Sequence, residues 1–127
     1  MRPATEADVP AANRLCESVH GHTRAGELMD AIQQGTAFVA ERNNQLTGYA
    51  SGFGYFAHAV GESNLDLKAL IARIKEFPYP GIIVPTRNAD LFRWCLANEL
   101  RVVQPMTLMT IGLYNEPRGA YLPSVLY

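Results

Sequence analysis

His58 sits in the middle of Tyr55-Phe56-Ala57-His58-Ala59-Val60, an aromatic and apolar run with one titratable ring at its centre. If that run lines a ligand gap, the imidazole can take a proton or touch a substrate. On a polar face it is a hydrogen-bonded side chain and nothing more. Tyr49, Phe53, Tyr55 and Phe56 cluster around Gly52 and Gly54, where they either line an acceptor pocket or pack a hairpin. Ser63, Asn64 and Asn88 are residue types that cap helix N-termini. His20-Gly21-His22 brings two imidazoles together, but no wider ligand pattern accompanies them. We read the pair as a loop ending a helix and expect no metal. Cys16 and Cys95 lie far apart in apolar helical patterns, as buried free thiols would, and we expect a reducing, cytoplasmic compartment.

The elements that would hold these residues follow from periodicity and stop signals. Thr5-Glu6-Ala7-Asp8 resembles a capping box. Val9, Ala12, Leu15, Cys16 and Val19 follow at helical spacing, and the helix ends near Gly21. A second helix starts after Thr23 and stops at Gly35. Thr36 to Glu41 and Leu46 to Ser51 form a hairpin about Asn43 and Asn44, since Asn tolerates positive φ. Tyr55 to Val60 is read as a strand. Leu67, Leu70, Ile71, Ile74 and Phe77 form the apolar stripe of a third helix, ended by Pro78-Tyr79-Pro80. Gly81 to Val84 is a short β-branched run expected as a buried strand. Asn88 caps a fourth helix carrying Leu91, Cys95 and Leu100. Val102 to Tyr114 is expected as a long strand and Ala120 to Tyr127 as a final edge strand containing Pro123.

The chain has 127 residues, 48% apolar and 18% charged, so we expect one globular domain over residues 1–127. A net charge of −1, without any basic run, gives no reason to expect a nucleic acid or an anionic membrane as partner. The N-terminus lacks an apolar signal core, and no stretch of sequence approaches a membrane span.

With this element order the chain resembles the GNAT superfamily of acetyl-CoA-dependent N-acetyltransferases. The opening Arg2-Pro3-Ala4-Thr5-Glu6-Ala7-Asp8 followed by a helix looks like the usual start of that family. The stretch Asn88 to Arg101 lies on its strand–helix frame N-x-x-A-x-x-x-Y-x-x-x-G-F-R, with Leu91, Cys95, Glu99 and Leu100 at the Ala, Tyr, Gly and Phe positions. The wider sequence resembles the C-terminal half of two-domain GNAT proteins. The resemblance implies an α+β fold: a central mixed, mostly antiparallel sheet of six to seven strands, a parallel pair splayed at its centre, and about four flanking helices.

The resemblance also implies a site. Acetyl-CoA would lie between Tyr55–Val60 and Gly81–Val84, with the backbone of Phe56, Ala57, Ala59 and Val60 pairing with the pantetheine arm. Its pyrophosphate would rest near Gly61, Ser63, Asn64 and Asn88, where helix amides bind anions. The loop Glu62 to Leu67 has no internal glycine or basic residue, and Glu62 and Asp66 are expected to repel the phosphates. Cys95 takes the position of the tyrosine acid, and Glu41, His58 and Glu62 are the candidate bases. Two readings follow. One is acetyl transfer to a small-molecule amine. The other is a non-catalytic GNAT-fold domain that pairs with a partner or binds a small molecule. The expected protein partner is a second copy or another GNAT domain, met through the C-terminal strands.

Overall fold

The computed structural model describes residues 1–125. Among these described residues it is an α+β fold with one five-stranded sheet and four α-helices. Strand β1 (Arg2–Pro3) leads through a single 3-10 turn into α1 (Val9–His20) and α2 (Ala25–Gln34). The hairpin β2 (Phe38–Arg42) and β3 (Gln45–Ala50) precedes β4 (Ala59–Gly61) and α3 (Asn64–Ile71). The fourth helix, α4 (Ala89–Ala97), comes before the last strand, β5 (Ala120–Leu122).

Local chemistry accounts for the ends of these elements. The Asp8 side chain accepts from Thr5 N–H at 2.7 Å and closes the box that starts the first helical stretch. Gly21 and Gly35 end α1 and α2 in the left-handed region, at φ 78° and 73°. Asn43 and Asn44 turn the β2–β3 hairpin with φ of 53° and 60°, the two positive values a type I′ turn requires.

The sheet has helices on both faces. Val39, Tyr49 and Val60 stand side by side in register and pack against α1 and α2. Ala50, Ala59 and Leu122 form the adjacent row on the other face and pack against α3 and α4. The next row on that face, Ala40, Gly48, Gly61 and Ala120, is made of small residues. A Cβ at Gly48 or at Gly61 would stand 3.0 Å from Asp66 Cβ. The absence of those side chains lets the first turn of α3 lie directly on the sheet.

The expected parallel pair is not formed. All four strand pairings are antiparallel, in the order β1-β2-β3-β4-β5. β3 holds one edge of β4 and β5 holds the other, with Ala59 opposite Leu122 and Gly61 opposite Ala120. Neither edge of β4 is left for Gly81–Val84. That stretch is irregular, and Ile82 and Val84 pack against the α3–α4 side of the core instead. The strand expected over Tyr55–Val60 begins only at Ala59. Residues 52–57 form the loop between β3 and β4, closed where Ser51 N–H donates to His58 O at 2.9 Å, so Phe56 and Ala57 are loop residues. The third helix stops at Ile71, and Ile74 and Phe77 reach the core from outside it. Val102–Tyr114 is neither a strand nor covered. Leu126 and Tyr127 of the expected last strand lie outside the described residues.

Candidate functional site

Two helix N-termini meet beside the C-terminal end of β4. Ser63 is extended at φ −150° and caps α3, and its N–H donates to Asp66 Oδ2 at 3.0 Å. Asn88 caps α4, its Oδ1 accepting from Leu91 N–H at 3.4 Å. A reciprocal amide pair joins the two caps: Asn64 Nδ2 donates to Asn88 Oδ1 at 2.8 Å, and Asn88 Nδ2 to Asn64 Oδ1 at 2.7 Å. Asn64 also donates to Asp90 at 2.9 Å, and Lys68 does the same at 2.9 Å. The positive ends of α3 and α4 are therefore held in a fixed relation.

A cleft of about 680 Å³ opens between these caps and the chain entering β5. Arg87 lines it from the α4 side and Arg118 from the β5 side, with Glu62, Glu116 and Tyr121 between them. Arg118 N–H donates to Val19 O at 2.7 Å, which anchors its turn to the end of α1. Glu116 forms an ion pair with Arg87 across the cleft. Glu62 lies 3.8 Å from Arg42, on the hairpin side. Burial pushes the Tyr121 phenol up, with Tyr114 and Glu116 adding to the shift, so it keeps its proton at neutral pH. The arrangement combines two arginines, two carboxylates, two helix ends and one protonated phenol, so an anionic ligand would engage Arg118 and would compete with Glu116 for Arg87.

The residues singled out from the sequence divide by location. Ser63, Asn64 and Asn88 line the cleft. Ala59, Val60 and Gly61 lie on β4, whose edge toward the cleft is hydrogen-bonded to β5. The backbone pairing expected for a pantetheine arm is thus already made within the chain. Asp66 does not face the cleft. Its carboxylate is buried against the sheet, where it accepts from Thr47 Oγ1 at 2.6 Å and from Arg42 at 3.0 Å. The expected repulsion of phosphates by Asp66 is therefore corrected, because the capping box turns that charge inward. Glu41 sits on β2 and pairs with Arg2 at 2.8 Å, outside the cleft.

His58 is 1% exposed and on the α1–α2 face. Its Nε2 lies 2.8 Å from Tyr49 Oη and its Nδ1 2.9 Å from Glu27 Oε1. Burial raises the Glu27 carboxyl, but the His58 contact and the charge of Arg24 outweigh it and leave the group below its usual range. These bonds tie α2 to the β3–β4 loop. Cys95 is 4% exposed among the residues between α3 and α4, and burial pushes its thiol up. Neither His58 nor Cys95 lines the cleft. Arg87, Arg118 and Tyr121, which do line it, were not picked out from sequence. The signal for Arg87 was its place beside the Asn88 cap. Arg118 carried only the turn signal Pro117-Arg118-Gly119.

No family model matches the chain, and no curated protein matches it. Among solved structures it is similar to TTHA1254 of Thermus thermophilus. A point mutant of that protein aligns with a TM-score of 0.60 and the wild type with 0.56, both at 21% identity. Each alignment covers 91% of this chain and 98% of that chain. At that identity the likeness shows a shared fold and no more. Among the described residues, no group of three or more His, Cys, Asp or Glu side chains could hold a metal ion. No helix among the described residues is long and apolar enough to cross a membrane.

Proposed function

We propose that the chain is a GNAT-type acetyltransferase domain whose cleft takes the phosphate end of acetyl-CoA. The observation that carries this reading is the meeting of two helix N-termini with Arg87 and Arg118 at one cleft of about 680 Å³. Arg87 and Arg118 bring basic groups that the loop after β4 lacks, from segments distant in sequence, and a phosphate would take Arg87 in place of Glu116. The reaction is attack of a small-molecule amine on the thioester carbonyl in the cytoplasm. The amine loses a proton and the departing thiolate gains one. Tyr121 is the protonated group in the cleft, so it replaces Cys95 as donor in this reading. The full family sheet, in which Gly81–Val84 runs parallel to β4 and the pantetheine lies in the splay, requires β5 to leave the β4 edge.

Two observations favour the second reading, a non-catalytic GNAT-fold binding domain. β5 already fills the β4 edge, and His58 and Cys95 are enclosed in the core. Titration calorimetry with acetyl-CoA and with desulfo-CoA tests the shared part. Binding that weakens at least ~10-fold in both Arg87→Ala and Arg118→Ala supports the cleft. No heat with either ligand at millimolar concentration refutes it. Thiol release from acetyl-CoA over a panel of amines separates the readings: the catalytic one requires release that falls with Tyr121→Phe, and the binding one requires none.

A further inference from the structure

The wall of the cleft that carries Arg118 and Tyr121 rests on the end of α1. Arg118 N–H donates to Val19 O at 2.7 Å. The His20 ring stands edge to face with the Tyr121 ring, centroids 5.4 Å apart and planes at 71°. Gly21 follows, and a Cβ there would lie 3.2 Å from Asn115 Nδ2. Three consecutive residues of one helix end therefore meet the chain that forms the wall. Before β5 that chain has little other support. Among the described residues, no backbone hydrogen bond involves residues 101–117. The Glu116–Arg87 ion pair reaches across the cleft instead of into the wall.

His20 is built into this seat as a neutral group. It is 5% exposed, and its Nε2 has no hydrogen-bond partner among the described residues. The groups around it do not welcome a second proton on the ring. Arg24 at the start of α2, His58 beside β4 and His22 in the loop all act against it, and Tyr121 on β5 is a protonated phenol. Glu27 is the carboxylate on α2, and it is engaged by Arg24 at 3.3 Å and by His58 at 2.9 Å. Burial first, and then Arg24, His58 and His22, hold the His20 ring down from 6.5 to about 4.

We propose that His20 is a positioning residue for the cleft: its neutral ring seats Tyr121 and the turn bearing Arg118, and protonation of the ring releases that wall. A charged ring needs water at Nε2. α1 and the sheet cannot part to admit it without opening the core around Val39, Tyr49 and Val60. The chain before β5 can give way with the loss of the Arg118–Val19 bond. The effect of the release on a ligand rests on the reading of the cleft given above, and the release itself does not.

Amide hydrogen exchange on the whole chain, followed by NMR, tests the release with no ligand present. The Arg118 amide should exchange through an opening that is insensitive to urea below the unfolding transition. Its protection should fall at least ~10-fold from pH 7 to pH 4.5. His20→Phe keeps a ring against Tyr121 that cannot take a charge, so its Arg118 protection should change less than ~3-fold over the same range. Calorimetry with desulfo-CoA at pH 7 reads the seat itself: His20→Ala should weaken binding at least ~5-fold, and His20→Phe less than ~2-fold. An Arg118 amide that opens only with global unfolding overturns the proposal. So does an equal pH dependence in His20→Phe, or a His20→Ala variant that binds as tightly as the wild type. A wild type that shows the pH-dependent opening but binds no desulfo-CoA supports the seat and refutes the reading of the cleft.

Discussion

Replacing Asp66 with alanine separates two physical accounts of the loop after β4. If its charge faced a bound phosphate, the variant would bind acetyl-CoA more tightly. The structure requires the opposite emphasis. Asp66 Oδ2 accepts from Ser63 N–H and Ser63 Oγ, both at 3.0 Å, and Oδ1 accepts from Thr47 Oγ1 at 2.6 Å. Loss of the capping box costs about 1 kcal/mol. The buried charge-assisted bond from Thr47 is worth about 2 kcal/mol. The contact with Arg42, a side chain 49% exposed, adds no more than about 0.5 kcal/mol after solvent screening. The total is about 3–4 kcal/mol, which for a domain of this size lowers the melting temperature by roughly 10–15 °C. Thermal denaturation followed by circular dichroism at pH 7 measures it. Asp66→Asn keeps an acceptor for Thr47 and should lose roughly half as much. A fall of under ~4 °C for Asp66→Ala would refute the assignment of the carboxylate to the cap. Tighter acetyl-CoA binding in a folded variant would refute the inward orientation.

Glu116→Gln frees Arg87 from its ion pair and should strengthen acetyl-CoA binding ~3–10-fold by calorimetry, since any anionic ligand must otherwise displace that carboxylate. Gly61→Ala puts a Cβ 2.9 Å from Ser63 O and 3.0 Å from Asp66 Cβ, and the strain should cost about 1–3 kcal/mol in urea unfolding. Gly26→Ala, with nothing within 4 Å of the new Cβ and a helical backbone, should not destabilise and serves as control. His20 is held near a pKa of about 4, from 6.5, by burial first and then by Arg24, His58 and His22. The unfolded chain therefore binds the extra proton between these values. The His20 contribution is fully present above pH 6.5 and is lost progressively as pH falls toward 4. Urea midpoints measured from pH 7 to 4 should fall less steeply in His20→Gln than in the wild type.

Both cleft helices were recognisable from local signals, but the cleft between them was not. Asn88 reads as a cap because its side chain answers an amide three residues on, and it does so. The pairing of Asn64 with Asn88 spans 24 residues, and nothing in either neighbourhood specifies it. Arg118 reaches the cleft because its backbone is tied to Val19, across most of the chain. His58 stands out as a lone titratable group in an apolar run, but Tyr49 and Glu27 use both its ring nitrogens. Chemical potential in a sequence does not say whether a partner inside the fold has already used it.

The sequence by itself determined the features set within a few residues. These are the box at Thr5 and Asp8, the left-handed stops at Gly21 and Gly35, the Asn43-Asn44 turn and the caps of α3 and α4. Each is a competition between one side chain and its neighbouring amides, so the local residues decide it. Tertiary structure alone decided which strand closes β4. Gly81–Val84 has the stronger β pattern, yet three residues, Ala120 to Leu122, hold that edge. Strand pairing depends on which segment reaches an edge after helices and turns have placed the chain. Tertiary structure also left Val102–Tyr114, a long apolar run patterned as an interior strand, outside the sheet and exposed.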